Sequence, residues 1–185
     1  MNSKFYSLKL LIIILIVFIL QILIPGFVEL FILNQKAMTD YQIWRFLTSI
    51  FLHGSITHLL FNMFALFFFG LFLEGSIGSR KFLIVFLASG ILSNLISVNF
   101  YDTSLGASGA IYGVIGALVV IKPFMIVWTF GLLMPLFIAS ILWVTADILR
   151  ILGAFGPNNI GSIAHLSGIF VGAILGLIFR SSVRR

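Results

Sequence analysis

A chain with no cysteine and only three histidines leaves few ways to assemble a nucleophile and a base. Thiolate catalysis, disulfides and Cys-ligated metals are all excluded. The histidines are His53, His58 and His165; Asn62 follows His58 by one helical turn, and Ser108 stands within Gly106-Ala107-Ser108-Gly109. A serine attacks a carbonyl only when a base takes its proton, so Ser108 with a histidine makes a candidate nucleophile and general base. Ser108 follows a loop and opens an apolar stretch. The free N–H groups and positive dipole end of a helix starting there can stabilise an oxyanion. Gly106 and Gly109 let the backbone approach a substrate closely. His58 and Asn62, at i and i+4, share a helix face and could each donate a hydrogen bond to the same oxyanion. Tyr112 lies one turn below Ser108 on the same face, where its ring could stack on the His165 imidazole. None of Asp40, Asp102, Asp147, Glu29 and Glu74 sits at a spacing that obviously orients His165. A serine-histidine dyad is therefore expected, with Asp147 and Arg150 read as a local surface pair three residues apart.

The elements that must carry these groups are set by composition. Of 185 residues, 61% are apolar and 9% charged, against roughly 45–50% and about 25% in soluble domains. Mean hydropathy is +1.23. So few charges cannot solvate such a surface, and the chain reads as an integral membrane protein. The length leaves room for six or seven spans of about 20 residues and no separate soluble domain. The net charge of +6 is accordingly a topology signal before it is a nucleic-acid footprint. Three histidines without an HExxH helix do not resemble a zinc site, and no metal or cofactor is expected.

Six apolar blocks are expected as helices, at about 6–24, 56–73, 82–98, 106–121, 135–152 and 160–179, in one domain over 1–185. The first lacks a small-residue cleavage site and reads as a retained helix. Between the first two blocks, a mixed stretch holding Glu29, Lys36, Asp40 and Arg45 among Phe27, Phe31, Trp44 and Phe51 reads as a loop partly embedded in the membrane. Pro135 suits a first helical position, so 124–134 is expected as a short interfacial segment before the fifth helix. Placing both termini in the cytoplasm puts Lys4, Lys9, Arg80, Lys81, Lys122, Arg180, Arg184 and Arg185 inside and Lys36, Arg45 and Arg150 outside. That bias fits the positive-inside rule. The second, fourth and sixth helices then begin at the outer surface, bringing His58, Asn62, Ser108 and His165 to one depth on one side. Polar side chains inside spans are costly and mark function or packing. Gly109 and Gly113 on the fourth helix, and Gly168, Gly172 and Gly176 on the sixth, recur every four residues. Such faces permit close helix contact in lipid and would draw His165 towards Ser108.

In order and spacing these residues resemble the rhomboid family of intramembrane serine proteases, in a minimal six-helix form. The resemblance spans nearly the whole chain and is carried by Trp44-Arg45, His53-Gly-Ser-Ile-Thr-His58-Leu-Leu-Phe-Asn62, Gly106-Ala-Ser108-Gly109-Ala-Ile-Tyr112-Gly113 and Ala164-His165-Leu-Ser-Gly168-Ile-Phe-Val-Gly172. It implies an all-α polytopic fold with a membrane-embedded first loop. Ser108 would be the nucleophile and His165 the base and then acid, with Asn62, His58 and the Ser108 N–H as the oxyanion hole. Arg45 would help to order the first loop, and Glu74 would join a structural network at the inner end of the second and third helices. The implied reaction cuts a peptide bond in or beside the transmembrane helix of a membrane-protein substrate, near the outer face of the cell membrane. The fifth helix and a capping loop would gate access. The one departure is Ser167, where the family often has a smaller residue. His53 has two readings, a structural hydrogen bond to the first loop or a part in water supply.

Other classes predict different features. An inactive relative that binds or escorts membrane proteins would lack the serine or the histidine, and both are present. A channel or transporter would carry polar groups through the full depth, whereas these stay on the outer side.

Overall fold

The computed structural model describes residues 5–155 and 161–183. Lys4, Arg184 and Arg185 of the basic flanks, and position 160 at the start of the sixth block, lie outside the described residues. Among the described residues, four helices are long and apolar enough to cross a bilayer: Tyr6–Leu23 (α1), Ile56–Ile77, Ser79–Ser97 (α7) and Ser162–Phe179 (α10). The second of these is continuous but not uniform. It runs from α5 (Ile56–Ala65) through a π-helical turn at Leu66–Gly70 into α6 (Leu71–Ile77). Two shorter helices complete the set, α8 (Ser108–Ile121) with 14 residues and α9 (Leu136–Ile151) with 16. The result is a polytopic helical membrane fold.

α8 is too short to span the roughly 30 Å hydrocarbon layer at 1.5 Å per residue, and its burial explains how it manages. Gly109, Ala110 and Ile111 and the run from Gly113 to Leu118 are all buried, so its neighbours, rather than lipid, surround it. Its contact with α10 is backbone on backbone. A side-chain carbon on Gly168 would fall on the Gly109 carbonyl oxygen, one on Gly172 on that of Gly113, and one on Gly176 against Ala117. The two four-residue glycine rows therefore meet in register, as small faces do in lipid. Gly116 adds a further close approach, to the Ile169 carbonyl. On its other side α8 meets α7 through Ser93 beside Gly109 and Ser89 beside Gly113.

The first loop is built from three short helices, α2 (Phe27–Phe31), α3 (Lys36–Thr39) and α4 (Arg45–Thr48), and the two-residue strand β1 (Leu33–Asn34). β1 pairs antiparallel with β2 (Thr103–Ser104), which leads into α8. The segment 124–134, expected as a short interfacial segment, forms a hairpin of β3 (Ile126–Thr129) and β4 (Leu132–Pro135). β3 consists of β-branched and aromatic residues, whereas β4 has none. Phe130 and Gly131 form the two-residue turn at φ +52 and +78, the backbone that suits a tight hairpin. Pro135 then caps α9.

Candidate active site

Each candidate residue occupies the first turns of a helix or the loop before one. α5 begins with Ser55 accepting a hydrogen bond from the His58 N–H at 3.1 Å, a cap that satisfies one free donor. His58 is the third residue of α5, with Asn62 a turn further on and buried. α8 begins at Ser108 itself. Gly106, two residues earlier, has φ +118 and lies close against the His58 ring. A side-chain carbon there would stand 2.6 Å from Cε1 and 2.8 Å from Nε2 of His58. Glycine is thus required twice over at this position, by conformation and by space. The Gly106 N–H also donates to the Ser49 carbonyl at 2.9 Å, tying the serine-bearing loop to the first loop.

His165 enters from α10 and is held from two directions. Its ring lies parallel to that of Tyr112, with centroids 4.2 Å apart and planes within 6°. Its Nδ1 stands 3.1 Å from Oδ2 of Asp147 on α9. The expected stacking of Tyr112 on His165 is therefore observed. Tyr112 and Ser108 are one turn apart on α8, and the Gly109 and Gly168 contact seats α10 against that turn. Among the described residues no hydrogen bond involves the Ser108 hydroxyl, which is half-buried; catalytic hydrogen bonds often tighten only around a substrate. The first-turn N–H groups of α8 have no intrahelical acceptor and surround the serine with donors. The Asn62 amide donates to the His58 carbonyl at 2.9 Å, which uses one of its two N–H bonds and leaves the other.

Asp147 corrects the sequence reading. It is fully buried, not half of a surface pair. Its Oδ1 accepts from Arg150 Nη1 at 3.1 Å and from Ser162 Oγ at 2.7 Å. The spacing along the chain gave no hint of this, because Asp147 and His165 stand on different helices. The one available signal was a carboxylate inside an apolar block, which is costly without partners.

The supporting residues divide into two groups. Arg45 is buried and braces the first loop. Its Nε donates to Gln42 Oε1 at 2.6 Å and its Nη1 to the carbonyls of Glu29 at 2.8 Å and Ile32 at 2.6 Å. Asn94 of α7 completes the attachment, donating to the Phe46 carbonyl and to Ser49 Oγ, both at 2.9 Å. His53 is buried where α1, the first loop and α5 meet. Gln21 of α1 exchanges two hydrogen bonds with its backbone, both 3.0 Å. Its Nδ1 lies 3.3 Å from the Phe51 carbonyl, and its ring meets that of His58 edge-on at 5.0 Å. Burial, and then the neighbouring His58, lower its pKa from the ordinary 6.5 to about 4, although the Phe51 carbonyl works in the opposite direction. His53 thus has the expected bond within the first loop. Glu74 lies near the C-terminal end of the second span, just before α7, and its hydrogen bonds reach across to cap α1: it accepts from the N–H groups of Tyr6 (2.7 Å) and Ser7 (2.9 Å) and from Ser7 Oγ (2.6 Å). An anion at a helix N-terminus is favourably placed. Among the described residues no group of three or more histidines and carboxylates is arranged to hold a metal.

The Rhomboid domain family model matches residues 40–182. The chain is 32% identical over 157 residues to YdcA of Bacillus subtilis (strain 168), named as a rhomboid protease, covering 80% of this chain and 76% of that one. It is 37% identical over 142 residues to Rhomboid protease GluP of the same organism, covering 72% of this chain but 26% of GluP. It is also 36% identical over 89 residues to Inactive RHOMBOID-like protein 8 of Arabidopsis thaliana, covering 46% of this chain and 25% of that one.

Proposed function

The chain belongs to the rhomboid family, and on that premise we propose that it is an intramembrane serine endopeptidase acting on the transmembrane segments of other membrane proteins. Ser108 Oγ attacks the scissile carbonyl while His165 takes its proton. The tetrahedral oxyanion is met by the Ser108 N–H, with Asn62 and His58 as further donors. His165 returns the proton to the leaving amine, and water hydrolyses the acyl-enzyme by the reverse sequence. The observation that carries this reading is the His165 ring stacked on Tyr112, one helical turn from Ser108. It supports a base held beside the serine at the start of α8, where backbone donors are free. Gly106, Gly109 and His53 support the site by close approach and by fixing His58, and Arg45 by ordering the loop above it.

The proposed orientation places both termini in the cytoplasm and opens the site to the extracytoplasmic side of the cell membrane, in keeping with the basic flanks. One relative is inactive by name; a non-cleaving binder, the alternative for this chain, has no use for a retained Ser108 and His165. Proteoliposomes holding the protein and a single-span reporter with small, helix-destabilising residues near its outer end provide the test. Cleavage by the wild type, lost in Ser108→Ala and His165→Ala of unchanged thermal stability, is the expected outcome. Equal cleavage by Ser108→Ala would overturn the assignment.

A further inference from the structure

The buried carboxylate on α9 has more hydrogen-bonding partners than a helix-surface role requires. Asp147 has no exposed surface, and three partners among the described residues converge on its carboxylate: Arg150 and Ser162 on Oδ1 and His165 on Oδ2. Ser162 and His165 are three residues apart on α10, so one face of that helix presents both the anchor of the carboxylate and the ring that the carboxylate holds. Tyr112 restrains the imidazole perpendicular to its plane and Asp147 restrains it within the plane. With Nδ1 facing a carboxylate, the neutral ring carries its proton there and keeps the Nε2 lone pair free.

We infer that Asp147 is a positioning residue for His165, so that the pair proposed above works as an Asp147–His165–Ser108 array. The inference rests on that proposed reading. In this arrangement Asp147 selects the tautomer that can accept the Ser108 proton and balances the imidazolium that forms when it does. The proton itself passes from Ser108 Oγ to His165 Nε2 and back to the leaving amine; Asp147 stays ionised. Arg150, 30% exposed, and Ser162 keep the carboxylate from being a buried, unpaired charge.

Two measurements test this. The first needs no variant of Asp147: nitrogen NMR of histidine-labelled protein at pH 9, with His53→Gln and His58→Gln used to assign signals. The expected result is His165 protonated at Nδ1; a ring protonated at Nε2 would overturn the inference. The second compares fluorophosphonate labelling of Ser108 and reporter cleavage in Asp147→Asn, Ser162→Ala and Arg150→Gln. Asp147→Asn is expected to slow labelling and kcat by about 10²-fold or more with KM within about twofold, in the direction of the known triad aspartate effect. Ser162→Ala and Arg150→Gln, which loosen the carboxylate but leave His165 its partner, are expected to stay within about tenfold of wild type. Equal losses in all three would mark Asp147 as a purely structural group and contradict the inference. Wild-type labelling that Ser108→Ala abolishes, together with unimpaired Asp147→Asn, would overturn the array alone. A wild type that is never labelled would overturn the proposed protease and the array with it.

Discussion

His53 joins three segments at one buried point, and its chemistry makes the junction sensitive to acid. With its pKa lowered from 6.5 to about 4 in the fold, the unfolded chain binds the extra proton first as pH falls. Stability is therefore expected to decline between about pH 6.5 and 4, by up to about 3 kcal/mol. Thermal unfolding in detergent across that window checks this, and His53→Gln is expected to flatten the slope. Asn62→Ala removes one of the proposed oxyanion donors; a loss of about 10²–10³ in kcat is expected without loss of fold. Wild-type turnover in that variant would show that Asn62 serves only its bond to the His58 carbonyl. At this scale most of the candidate site was legible, because His58 with Asn62, and Ser108 with Tyr112, share helical spacings that place them on common faces. Asp147 was not legible. Its meeting with His165 depends on how α9 and α10 dock, and no spacing within one helix encodes that.

Helices in lipid gain little from apolar burial, so close backbone contact carries the association of α8 with α10. Gly172→Val would drive a side chain into the Gly113 carbonyl, where a backbone cannot yield. Loss of the folded state, or a destabilisation of about 3 kcal/mol or more, is expected by thermal unfolding. Gly75→Ala is the contrasting variant: a side-chain carbon there meets nothing within 4 Å. It is expected to be neutral or to stabilise α6 by about 0.5–1 kcal/mol. Glu74→Ala would leave the two N–H groups at the start of α1 without their acceptor. A loss of about 1–3 kcal/mol is expected, with kcat per folded molecule unchanged, since Glu74 caps a helix and touches none of the proposed catalytic groups. The periodic glycines announced the α8–α10 contact in the sequence. The hairpin of β3 and β4 was less visible, because only β3 carries strand-forming residues, β4 is Leu-Leu-Met-Pro, and Gly131 is the one turn residue between them.

Across the whole molecule, α5, α8 and α10 each begin near the site, and the first loop covers the same region through Arg45, Asn94 and the β1–β2 pair. Composition and span lengths were enough to read a polytopic helical membrane protein, because so apolar a chain has no soluble alternative. The partners of Glu74 were not legible for a physical reason: a carboxylate serves any free helix end within reach, and the packing of α1 beside α6 decides which one. The central claim is that this architecture activates one serine. Fluorophosphonate labelling of the detergent-purified protein tests it most directly, with Ser108→Ala and His165→Ala alongside. The account predicts a labelled wild type and no labelling in either variant. A well-folded wild type that stays unlabelled, or His165→Ala labelled at the wild-type rate, would contradict it.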